Sequence, residues 1–422
     1  MKVKVGSSIL LGSTNPPFFV LPYKGSGSQM LSELLSYAFR PFFLLGALSA
    51  IVVMALWTLA LGNIGPLADY PNPALWHAHE MLFGFVMAVI AGFVMTAVAM
   101  WTGRERLHGT PLGVLVVAWL AGRGAMLASG VLPDWVVAIT DMAFPVLLAY
   151  FFGREVIAAD NRHNLVIVGI VAVMAVLNLA YHGGPPAGSA GLAKTAMLLM
   201  IHVVLLLITA IAGRVVPSFT ANWLRDQGRD PERGRFPKST PPVEGVTLLL
   251  TAAAGISVTF APTSPVAGFI ALAACTSHAF RLSRWTGLAT RPEPLLFVLH
   301  IAYAWLPIGY ALVAWSIFSP VTGSAYSDSV ALHALTMGAI GSMILAMTTR
   351  VSLGHTGRAL HAARLTVVAY ILLTVSVIVR LLGPLAGGRY LQTVEIAATG
   401  WMVAFAVFIW VYWPILTRPR ID

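Results

Sequence analysis

Residues 76–100 read Trp-His-Ala-His-Glu-Met-Leu-Phe-Gly-Phe-Val-Met-Ala-Val-Ile-Ala-Gly-Phe-Val-Met-Thr-Ala-Val-Ala-Met. After Glu80 no charged residue follows until Arg104. Such a run is long enough to cross a roughly 30 Å hydrocarbon core as a helix, the open-chain form that satisfies its own backbone polar groups in lipid. The chain repeats the pattern twelve times, near 41–61, 78–100, 111–129, 134–152, 164–181, 190–212, 244–260, 264–282, 294–317, 329–350, 364–383 and 393–415. With 58% hydrophobic and 10% charged residues over 422 positions, so much apolar surface cannot be hidden in one soluble core. The expected fold is an all-α, polytopic integral membrane protein of about 12 transmembrane helices.

Basic loops stay on the cytoplasmic side of a membrane. All but four of the 26 Lys and Arg residues (Arg123, Lys194, Arg380 and Arg389) fall on one side of this topology, so both termini are expected to be cytoplasmic. Residues 1–35 lack an apolar core followed by a cleavage site and read as a cytoplasmic leader. Residues 36–418 read as a single transmembrane domain, with a basic cytoplasmic loop at 213–243 between the sixth and seventh spans. The net charge of +10 is scattered over short loops rather than gathered on one face, so topology accounts for it and nucleic acid is not an expected partner. The lone Cys275 permits neither an intrachain disulfide nor a CxxC metal site.

Charged residues at membrane depth are costly and tend to mark function. Glu80, Arg123, Asp141, Arg380 and Glu395 all fall in the non-cytoplasmic half, as do His77, His79 and His333, while His202 lies near the middle of span six. On a helix His77 and Glu80 share a face, whereas His77 and His79 differ by about 200°. Both imidazoles reach one centre only if His77 sits on a non-helical lead-in after Pro73. Neutral imidazole suits haem iron and copper. Glu80 can orient a ligand or pass a proton, and Glu80, Asp141 and Glu395 together are the candidate proton carriers. His79 precedes Thr102-Gly103-Arg104 by 23 residues, and His333 precedes Thr356-Gly357-Arg358 by the same 23. A third group, His278, His300 and His355, lies toward the cytoplasmic side and is a candidate second centre or propionate site with Arg281, Arg350 and Arg358. No Walker A, dinucleotide, HExxH or GxSxG signature occurs.

The segments Tyr37-Ala-Phe-Arg-Pro-Phe-Phe43, Trp76-His-Ala-His-Glu-Met81, Gly213-Arg-Val-Val-Pro-Ser-Phe219, Leu299-His-Ile-Ala-Tyr-Ala-Trp305, His333-Ala-Leu-Thr-Met-Gly338 and Gly354-His-Thr-Gly-Arg358 resemble those of the NnrS family. The resemblance implies a bacterial inner-membrane protein containing haem, here expected as b-type, and copper, associated with nitric oxide metabolism and nitrosative stress. Its motif histidines are His77, His79, His300, His333 and His355. By analogy with haem-copper oxidases, whose metal histidines lie on helices two, six and ten, His79 or His77 would oppose His333 across haem iron and His202 would approach copper. Span ten carries one histidine where those enzymes use two, and no His-His pair follows span six. The expected function is binding or reductive turnover of nitric oxide, turnover requiring an electron donor for which no docking signal is visible. A haem or copper carrier and a proton-coupled secondary transporter are the alternatives.

Overall fold

The computed structural model describes residues 27–68, 70–183, 190–231, 234–322 and 327–421. Most of the expected leader therefore lies outside the described residues. A short helix, Gly27–Leu34, precedes twelve long ones. They are α1 (Phe39–Leu61), α2 (Pro73–Thr102), α3 (Gly109–Leu127), α4 (Asp134–Ala158), α5 (Leu165–His182) and α6 (Ala190–Asp226). There follow α7 (Pro241–Phe260), α8 (Pro265–Ser283), α9 (Pro294–Thr322), α10 (Asp328–His355), α11 (Arg364–Leu382) and α12 (Tyr390–Leu416). The expected twelve-helix membrane fold is the one observed, and no strand occurs among the described residues.

Local chemistry sets the boundaries. Proline supplies the first turn of α2, α7 and α8, where its missing N–H has no intrahelical partner to lose. Asn72 caps α2 by accepting from the Leu75 N–H at 3.0 Å. Gly103 ends α2 in the left-handed region at φ 66°. One expectation fails: residues 213–226 are not loop, because α6 runs on to Asp226 through Pro217. The reason is a buried apolar stripe, with Val216 and Leu224 both fully buried, which holds the helix together through its proline. At 37 residues α6 is about 55 Å long, so some turns project beyond a roughly 30 Å core.

Four helices are the most buried. The most apolar window is 89% buried in α2, 78% in α10, 67% in α9 and 61% in α6, against 22–44% for the others. The remaining helices pack largely in chain order around them, and α12 lies along α1 to close the circle. Outward residues such as Val117, Ile139, Leu249, Phe269 and Trp410 are exposed and apolar, as lipid contact requires. Lipid tails are as apolar as leucine, so close contact rather than water release holds helices together. Gly92 illustrates this: a Cβ there would lie 2.9 Å from the Phe43 ring of α1.

Both α2 and α10 contain a π-helical stretch, Glu80–Val86 and Ala334–Gly341. Each begins one residue after a histidine, His79 and His333, and single π turns recur at functional sites. The two ends of the bundle meet on its basic face. Buried Arg40 donates to the carbonyls of Leu416 at 2.9 Å and Arg418 at 2.7 Å, tying the start of α1 to the end of α12.

Candidate functional site

His79, His202 and His333, on α2, α6 and α10, face different neighbours. His79, at the N-terminal end of the π stretch of α2, faces α4 and α5. Its Nδ1 lies 2.9 Å from Glu80 Oε1, and its Nε2 lies 2.9 Å from Asn178 Oδ1 and 3.3 Å from Asp141 Oδ2. His182 Nε2 meets the same Asp141 Oδ2 at 2.9 Å, and the Asn178 amide donates to it at 2.8 Å. Arg123 of α3 is ion-paired to both Glu80 and Asp141. His79, Glu80 and Asp141 are buried, so this is a charged network inside the bundle. Among the described residues, His79, Asp141 and His182 form the one group of three such side chains whose ligand atoms lie within 4.8 Å of one another.

His77, two residues earlier, is helical and points elsewhere. It stacks on Trp57 of α1 with ring centroids 4.9 Å apart, and its Nδ1 is buried without a hydrogen-bond partner. It lies within electrostatic reach of His333 of α10 and Arg380 of α11. His333 donates from Nδ1 to the Ser329 carbonyl at 2.6 Å, which leaves Nε2 as the nitrogen with a lone pair. The guanidinium of Arg380 lies over the Tyr390 ring, and its Nη1 is buried and unpartnered. His77 thus faces α1 and lies within electrostatic reach of α10 and α11, while His79 faces α4 and α5. The non-helical lead-in that would have joined His77 to His79 is absent, since helix begins at Pro73.

His202 of α6 faces α7 and α9. Its Nδ1 donates to the Leu198 carbonyl at 2.9 Å and its Nε2 is buried without a partner. A Cβ on Gly255 would lie 2.6 Å from the His202 side chain, and Tyr310 flanks the ring. His202 is thus turned toward α7 and α9, whereas His77 is turned toward α1.

The expected second centre does not assemble. His278 is committed to Thr251 Oγ1 at 3.0 Å and the Tyr303 hydroxyl at 2.7 Å. His300 engages Thr220 Oγ1 at 3.0 Å and packs on Gly287, while His355 lies against Phe39 of α1. Arg281 is paired with Glu244, and Arg350 covers the Phe219 ring. Arg358 lies in the loop after α10, where burial and then Arg40 and Arg418 hold its guanidinium below its ordinary value. Arg350 is 17 residues from His333 along α10, about 25 Å, and cannot serve a group ligated there. Glu395 is exposed on α12 and takes no part in the Glu80–Asp141 network.

Between α1, α2, α6 and α10 lies a pocket of about 80 Å³ lined only by apolar side chains, among them Phe43, Val89, Leu207, Ile340 and Met343. Two residues of the networks escaped the sequence reading, Asn178 and His182. Their spacing of four on span five places both on one helix face and was the available signal.

A family model described as NnrS protein matches residues 33–420, nearly the whole chain. No curated protein matches it.

Proposed function

The chain belongs to the NnrS family, whose members are nitric-oxide-related membrane proteins, and from that premise we propose that it binds nitric oxide at a haem held between α2 and α10. The observation that carries this reading is that His77 lies within electrostatic reach of both His333 and Arg380, and His333 of Arg380. Two imidazoles arrive from different helices, a ring nitrogen of His77 is buried without a partner, and a buried guanidinium nitrogen is unsatisfied. Orphaned buried polar atoms are expensive in a protein interior, and axial ligation and a propionate would satisfy both kinds. Copper beside the same haem does not fit, because His202 is turned into another sector.

When bound, the haem supplies an iron that ligates nitric oxide and can change oxidation state. The chain's own residues divide the remaining work. His333 would hold the iron from Nε2, its ring oriented by the Nδ1–H bond to the Ser329 carbonyl. His77, held by stacking on Trp57 and without a hydrogen bond at Nδ1, would be the more weakly held of the two ligands. Arg380 holds negative charge close to the ligands. The apolar cavity between α1, α2, α6 and α10 suits an uncharged, lipid-soluble gas arriving laterally. Glu80 and Asp141 are taken up by Arg123 and His79 rather than arranged as a route from the surface. Placement in a bacterial inner membrane is part of the proposal.

Optical and paramagnetic resonance spectra of purified protein test it. His333→Ala is expected to lose haem, and His77→Ala to retain it with a low-spin to high-spin change and faster nitric oxide binding. His79→Ala should leave the haem spectrum as in the wild type. Unchanged haem spectra in both His77→Ala and His333→Ala would overturn the assignment.

A further inference from the structure

We propose that His79, Asp141, His182 and Asn178 form a site for one divalent first-row transition metal ion, separate from the α2–α10 position and independent of the nitric oxide reading. The donors come from three helices. His79 Nε2 lies 3.3 Å from Asp141 Oδ2 and 2.9 Å from Asn178 Oδ1, and His182 Nε2 lies 2.9 Å from Asp141 Oδ2. Metal bonds of about 2.0–2.1 Å in tetrahedral geometry set ligand atoms roughly 3.3 Å apart. The side chains already stand near that spacing, so a bound ion demands little rearrangement.

Protonation defines what an ion would displace. Glu80 and Asp141 bring two carboxylates into the bundle and Arg123 brings one guanidinium. Both ring nitrogens of His79 face acceptor oxygens, Glu80 Oε1 at Nδ1 and Asn178 Oδ1 and Asp141 Oδ2 at Nε2, so without an ion the ring carries a proton on each and balances the second carboxylate. The single hydrogen on His79 Nε2 faces two oxygen atoms, and a metal ion in its place would take both as ligands.

The surroundings are those of a built site. Glu80 accepts from His79 Nδ1 at 2.9 Å, the carboxylate–histidine pairing that fixes a metal-bound imidazole and raises its basicity. Arg123 engages Asp141 Oδ1 and so leaves Oδ2 toward the histidines. Two glycines clear the space: a Cβ on Gly122 would lie 3.0 Å from Asp141 Oδ1, and one on Gly84 would lie 3.2 Å from the Arg123 guanidinium. Two imidazoles, one carboxylate and one amide oxygen, with no thiolate, select a borderline divalent ion. Cu(II) binds such a set more tightly than Zn(II) or Co(II).

The test uses purified full-length protein, stripped with chelator and titrated with Cu(II), and with Zn(II) in parallel. Wild type is expected to take one ion, with nitrogen couplings from two imidazoles in the Cu(II) resonance. His182→Ala keeps the Arg123 ion pairs and should fold; it is expected to bind at least 10-fold more weakly and to show one imidazole. Glu80→Gln, which removes an orienting group and no ligand, should weaken binding 10–100-fold. A wild type that takes up neither ion, or a His182→Ala variant that binds Cu(II) like the wild type with two imidazoles still coupled, would overturn the site. Haem is read optically in the same samples, so loss of haem with metal retained, or the reverse, separates this proposal from the preceding one.

Discussion

His77 and His79 stand two positions apart on one helix and serve different sectors: His77 stacks on Trp57 of α1, while His79 meets Asp141 of α4 and Asn178 of α5. A helical offset of about 200° between them places one ring toward α10 and the other away from it. The segment Trp76–Met81 thus joins two sectors of the bundle.

Arg123 is the only guanidinium paired with both buried carboxylates among the described residues. Arg123→Met is expected to destabilise the protein by about 3–5 kcal/mol, since it strands buried charge. Thermal unfolding in detergent checks this. Adding Glu80→Gln and Asp141→Asn should recover part of the loss.

Arg380, rather than Arg350 or Arg358, is the cation beside His77 and His333. Arg380→Gln is expected to weaken haem retention and to lower the haem reduction potential, because removing a nearby positive charge favours the oxidised form. Arg350→Gln and Arg358→Gln should leave the haem spectrum and potential unchanged. A redox titration of the three variants distinguishes them.

Glu395 is exposed on the outer surface of α12. Glu395→Gln is expected to leave haem content, metal content and nitric oxide binding as in the wild type, with stability changed by less than about 0.5 kcal/mol. A spectral or binding change would mean that α12 contributes to the site.

Gly92 lets α2 approach the Phe43 ring of α1. Gly92→Val should lower stability by about 1–3 kcal/mol through overpacking, and perturb the adjacent apolar cavity. Thermal unfolding measures the first effect, and nitric oxide association kinetics the second.

The sequence by itself determined the twelve helices and most of their ends to within a few residues, the end of α6 excepted, because length, hydropathy and proline or glycine punctuation are local properties of the chain. It also isolated the costly residues, since a charge in an apolar run is visible without coordinates. Residues 213–226 were misread for the same local reason: arginine and proline signal loop, and burial of Val216 and Leu224 keeps the helix going. What the tertiary structure decided was partnership. His79 joins Asn178 across 99 positions, and Arg123 joins Glu80 across 43. Such pairings depend on how each helix is rotated about its axis and which neighbour it packs against. Hydropathy averaged over a span carries no rotational information, and the π turns after His79 and His333 shift the phase of α2 and α10 in a way no 3.6-residue period anticipates.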